Sequence, residues 1–90
     1  MRRSVDLTVT GRVQGVSFRY YAEREAARLG VAGWVRNEPD GSVAAHVEGD
    51  PGAVDAFVRW CHEGPRMAYV ERVDVRDADD QGLRSFRTAG

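Results

Sequence analysis

The sequence of 90 residues has no lysine, so all thirteen of its fixed cations are arginines. An anion site in this chain must therefore be built from guanidinium groups or backbone N–H groups. A single cysteine, Cys61, excludes an internal disulfide and a cysteine-rich metal site. The histidines, His46 and His62, stand apart and no carboxylate array has ligand spacing, so no metal site is expected. A formal net charge of −1 argues against a strongly basic nucleic-acid surface, although not against a local anion site. No apolar run is long enough to cross a membrane. The opening MRRS is not followed by an apolar stretch, so no secretion signal is expected. With the lone cysteine, this points to a cytoplasmic protein with no membrane or nucleic-acid partner.

What is present is an ordinary globular composition, 42% hydrophobic and 30% charged, sized for one domain over residues 1–90. Ser4–Gly11 alternates, with Val5, Leu7 and Val9 on one face, as in a half-buried strand. Phe18, Ala22, Glu25, Ala26 and Leu29 recur at helical spacing and predict a helix from about Ser17 to Leu29, stopped by Gly30. Gly33–Gly49 reads as a hairpin turning at Glu38–Gly41. In it, Val43, Ala45 and Val47 face one way and Ala44, His46 and Glu48 the other. Asp50-Pro51 is an N-cap with proline at the first helical position. A second helix follows, with Val54, Phe57, Val58 and Cys61 inward, and ends near Gly64-Pro65. Ala68–Asp77 is a strand in which Val70 breaks the parity of Val73 and Val75, which predicts a bulge. Asp77–Gly82 is a polar turn and Leu83–Thr88 a short last strand.

The order β-α-β-β-α-β predicts an α+β, ferredoxin-like sandwich: an antiparallel sheet with two helices on one face, plus a short fifth strand. In the usual strand order of that topology the first two strands run the same way. The segment Gly11–Phe18, after the first strand, then meets Arg36 and Asn37, at the end of the second, along one sheet edge.

That segment reads GRVQGVSFR, Gly11–Arg19, and feeds the N-terminus of the first helix. Unpaired helix N–H groups and a positive dipole end favour anions. Gly11 and Gly15 would let the loop curl its amides inward, and Arg19 can add a charged fork. A plain tight turn with a solvated arginine fits the residues equally well. Ser17 could cap the helix through its hydroxyl.

The stretch resembles the signature of the acylphosphatase family through Gly11, Val13, Gln14, Gly15, Val16, Phe18 and Arg19. GWVRNEPDGSV, Gly33–Val43, is similar to the family's second signature, and Val47–Gly49, Gly64-Pro65 and Val70–Val75 also fit. The resemblance implies hydrolysis of an acyl phosphate to a carboxylate and inorganic phosphate, without metal or cofactor. It further implies that backbone N–H groups of Val13, Gln14, Gly15, Val16, Ser17 and Phe18, with Arg19, bind the phosphoryl group. Asn37 would orient the attacking water, and a substrate phosphate oxygen would serve as base. A monomer acting on a small-molecule substrate is expected.

This chemistry suits a site without acid, nucleophile or metal. The leaving carboxylate has a conjugate-acid pKa of roughly 4 and departs unprotonated. Phosphoryl transfer through a loose transition state needs mainly positioning and charge stabilisation. The alternative is a non-catalytic phosphate- or anion-binding module of the same fold. An acylphosphatase-like part of a larger carbamoyl-transfer protein is a third reading, and the end at Gly90 favours the free enzyme. An RNA-binding sheet is disfavoured, because the outer face carries Asp6, Thr8, Thr10, Ala44, His46 and Glu48 and no stacking platform. Cys61, Trp34 and Trp60 read as packing groups, Asp40 and Asp50 as turn and cap residues. Asp77, Asp79 and Asp80 read as a solvated turn. Arg12 and Arg36 either widen the positive field or are simply solvated.

Overall fold

A computed structural model describes the whole chain from Met1 to Gly90. Alternating Val5, Leu7 and Val9 form β1 (Arg3–Arg12), and all three side chains are fully buried. Helix α1 (Phe18–Leu29) buries Phe18, Ala22 and Ala26 and stops at Gly30, whose left-handed backbone returns its N–H to Ala26 and Ala27 carbonyls. The hairpin is β2 (Ala32–Asn37) and β3 (Val43–Gly49). Asp40 fixes its turn by accepting from the Ser42 amide at 2.9 Å and hydroxyl at 2.6 Å. These bonds, the hydroxyl first, hold the Asp40 carboxyl below its ordinary range. Asp50 caps α2 (Pro51–Glu63) by accepting from Gly52 N–H at 3.2 Å. The chain finishes with β4 (Tyr69–Asp77) and β5 (Phe86–Thr88).

The strand order is β4-β1-β3-β2-β5. The four long strands pair antiparallel, as the topology predicts. The short fifth strand, whose direction the sequence reading did not state, runs parallel to β2, with Gly33 opposite Phe86 and Val35 opposite Thr88. The sheet is therefore mixed. The predicted bulge is present. Thr10 opposes Arg72 but Gly11 opposes Val70, so Glu71 is the extra residue and Val70 joins Val73 against the core. Gly11, with its φ of 131°, falls within β1, opposite the β4 bulge, where a Cβ would lie 2.2 Å from the Tyr69 carbonyl oxygen.

One core lies between the sheet and the two helices, centred on Leu7, Val35, Val47, Val54 and Phe57. Full burial of such a side chain contributes about 1.5–3 kcal/mol. Cys61 belongs to this core, and burial pushes its thiol up, away from nucleophilic use.

The outer sheet face is not simply solvated. His46 and Glu48 are fully buried there. His46 Nδ1 is 2.7 Å from Asp6 Oδ1, and its Nε2 is 2.7 Å from Glu48 Oε1. Two carboxylates on two ring nitrogens require both nitrogens to donate, so the ring is the imidazolium. Trp34 stacks on it with centroids 6.1 Å apart. Glu48 also accepts from the Gln81 and Leu83 amides, each at 2.7 Å, and from Arg2 at 3.1 Å. The segment between β4 and β5 is thereby clasped onto this face.

Candidate functional site

β1 and β2 both pair antiparallel to β3, so they run the same way and end at one sheet edge. A cleft of about 540 Å³ opens there, lined by Val13, Gly15, Ser17, Phe18, Arg19 and Asn37, and further by Tyr20, Glu23 and Thr88. Every sequence-predicted site residue except Gln14 and Val16 lines it.

The side chains of the loop explain its shape. Val13 and Phe18 are buried in the core and Val16 packs partly against it, so the loop is nailed down along its length. Gln14 turns away from the cleft, and its Nε2 donates to the Glu38 carbonyl at 2.8 Å and the Ser42 carbonyl at 2.9 Å. Those carbonyls flank the β2–β3 turn, so Gln14 ties the loop to the strand end that carries Asn37. Gly15 and Ser17 are both left-handed, with φ of 73° and 62°. For a serine this conformation costs energy. The Ser17 side chain makes no capping bond, which corrects the expectation that its hydroxyl caps α1. None of the amides from Val13 to Ser17 donates to another backbone group. The loop thus offers a row of free main-chain donors beside the first turn of α1.

Arg19 is half-buried at the cleft, and its Nη1 donates to the Gly90 carbonyl at 2.8 Å. Asn37 is half-buried where β2 ends. Glu23 accepts from the Thr88 amide at 2.9 Å and also from the Thr88 hydroxyl, which fastens β5 to α1 as one wall. The sequence reading missed Glu23 and Thr88. Glu23 follows Arg19 by one helical turn, so its spacing was a usable signal. Thr88 had none, because its place depends on the parallel β5 register. Of the further arginines, Arg36 is engaged on the outer face. It donates to Glu38 at 2.7 Å and lies over the Trp34 ring at 4.7 Å. Arg12 is exposed and does not line the cleft. Both fit the reading of ordinary strand-end charge.

The chain has many relatives. The acylphosphatase family profile matches residues 5–88. An acylphosphatase of Nocardioides sp. is 85% identical over 86 residues, covering 96% of this chain and 87% of the relative. An acylphosphatase of Thermococcus kodakarensis is 52% identical, covering 93% and 92%. The crystal structure of acylphosphatase from Bacillus subtilis superposes with a TM-score of 0.94 at 34% identity and full coverage of both chains. With its two signatures in sequence and its fold in space, this chain belongs to the acylphosphatase family, hydrolases of the acid anhydride joining a carboxyl group to phosphate.

Proposed function

We propose that the whole chain, residues 1–90, acts as one monomeric, cytoplasmic acylphosphatase domain whose reaction runs in the Val13–Arg19/Asn37 cleft without metal or cofactor. The observation that carries this reading is a loop whose amides from Val13 to Ser17 have no backbone partner and whose Val13, Gly15, Ser17 and Phe18 line the same cleft as Arg19 and Asn37. Backbone N–H groups from Val13 to Phe18 and the Arg19 guanidinium receive the phosphoryl oxygens. Fixed donors of this kind stabilise charge without reorganising.

The Asn37 amide oxygen accepts a hydrogen bond from a water and aims it at phosphorus. A water oxygen–phosphorus bond forms as the phosphorus–acyl oxygen bond breaks, and the electron pair leaves with the carboxylate. The water proton passes to a phosphoryl oxygen, because an amide is too weak a base to take it. Phosphomonoesters, with a poor alkoxide leaving group, should be turned over far more slowly.

The test is benzoyl phosphate hydrolysis in the presence of a chelator, by wild type and by Asn37→Ala. Wild-type turnover should persist with chelator, and the variant should lose about 10²–10³-fold in kcat while remaining folded. Near-wild-type turnover by Asn37→Ala would refute its role. A folded wild type inactive on benzoyl phosphate would favour a non-catalytic anion-binding module.

A further inference from the structure

A second groove adjoins the cleft. It has a volume of about 510 Å³ and is lined by Val16, Tyr21, Trp60, Pro65, Met67 and, at its rim, Arg66. The same Gly15 and Ser17 that line the first cleft also line this groove, so the phosphate loop is the ridge between them. The two sides differ in chemistry. The first carries Arg19, Glu23, Asn37 and Thr88, whereas the second is mostly apolar and aromatic. Met67 is 71% exposed and Tyr21 42% exposed, although both are large apolar side chains. The Tyr20 and Tyr21 rings meet edge to face at 5.1 Å, one at each depression.

The sheet order fixes the direction. Asn37 and Thr88 lie on the β2–β5 side of the loop, whereas Trp60, Arg66 and Met67 lie on the α2–β4 side. In-line phosphoryl transfer places the entering water and the departing group on opposite sides of phosphorus. Water aimed from Asn37 therefore requires the acyl half to leave the loop away from β2, toward this groove. An apolar wall there gains from covering an apolar acyl group.

We propose that the groove of Val16, Tyr21, Trp60, Pro65 and Met67 is the acyl subsite, selecting acyl phosphates with aromatic or bulky apolar acyl groups over acetyl phosphate. This rests on the loop holding the phosphoryl group and on Asn37 aiming the water, as described above.

The test compares kcat/KM for benzoyl phosphate and acetyl phosphate in wild type and in a Tyr21→Ser, Met67→Ser double variant. Taking the ratio cancels the different intrinsic reactivities of the two substrates. It should fall about tenfold in the double variant. Both positions are exposed, and Met67→Gln alone provides a milder variant expected to move the ratio the same way. Val75→Ser, at an exposed apolar position toward the far end of β4, should leave the ratio at its wild-type value. A double-variant ratio within about twofold of wild type would overturn the subsite, the threshold being small beside the effect of one apolar contact. Competitive inhibition by inorganic phosphate separates the two layers of argument. An inhibition constant unchanged in the double variant with a fallen ratio supports the subsite. A wild type that phosphate does not inhibit competitively would overturn the loop reading, and the subsite with it.

Discussion

Glu48 is a buried carboxylate far from the cleft, and its replacement by glutamine tests how the open sheet face is closed. Its two oxygens accept four hydrogen bonds, from Gln81 N–H, His46, Leu83 N–H and Arg2. An amide of the same shape accepts on one side only and turns N–H donors toward the donors on the other. Burial by itself would raise the Glu48 carboxyl. The bonds from the Gln81 amide, His46 and the Leu83 amide outweigh it and pull the group from 4.5 down to about 2. That displacement corresponds to about 3 kcal/mol of native-state stabilisation. Breaking one partner of a buried ion pair typically costs a similar 3–5 kcal/mol.

The signs fix the pH window. A depressed carboxyl contributes fully above about pH 4.5 and loses its contribution as the pH falls toward 2. Burial would lower His46, but its bonds to Glu48 and Asp6 raise it above 6.5. Its contribution is therefore full below pH 6.5 and lost as the pH rises through the raised value. Arg2 and Asp80, paired at 3.2 Å, are the other charges facing the cluster. Urea unfolding at pH 5.5 should show Glu48→Gln less stable than wild type by about 3 kcal/mol, with the gap narrowing by about 2 kcal/mol at pH 3. A gap below about 1 kcal/mol at pH 5.5, or an equal gap at both pH values, would refute the reasoning, since an exposed ion pair is worth no more than that.

Three further substitutions probe the loop and the bulge that precedes it. Gln14→Ala removes two bonds to the hairpin turn and should cost about 1–3 kcal/mol in urea unfolding, with a weaker inhibition constant for inorganic phosphate as the loop loosens. Gly11→Ala forces a Cβ to within 2.2 Å of the Tyr69 carbonyl oxygen at φ of 131°, and should lower unfolding free energy by about 3 kcal/mol or more. Ser17→Gly relieves a left-handed serine that has no compensating side-chain cap, and should raise stability by about 0.5–1 kcal/mol in thermal unfolding; a loss would mean that the hydroxyl carries a role of its own.

The contrast between what the sequence disclosed and what it hid follows the range of the interactions. The α1 stripe, the Asp40 turn, the Asp50 cap and the Val70 bulge depend on neighbours in sequence or on one strand pair, and periodicity exposes them. The meeting of Arg19 and Asn37 was legible because it needs only the strand directions of the topology. His46 and Glu48 were placed on the correct face, but alternation cannot tell a solvated face from one covered by residues more than thirty positions later. The same limit hid the parallel direction of β5, and with it Thr88. Ser17 was misread for a different reason. Serine before a helix ordinarily signals a cap, whereas here the demand for a left-handed backbone at that point prevails over capping preference.

A site whose main donors are backbone amides gives these distant contacts a direct bearing on catalysis. An arginine side chain can search rotamers for its anion, but a main-chain N–H can be re-aimed only by moving the backbone that carries it. Preorganisation of the donors is then the same property as rigidity of the loop. The chain supplies that rigidity from three directions. Val13 and Phe18 sink into the core, Gln14 grips the turn beyond Asn37, and the Thr88–Glu23 contact braces β5 against α1. The Glu48 clasp holds the segment that delivers β5 to this position. Hydrolysis of an anhydride with a good leaving group requires little acid–base chemistry, so a small fold can meet its requirements with geometry. The residues that secure this geometry are spread from β1 to β5, and most of them would never touch the substrate.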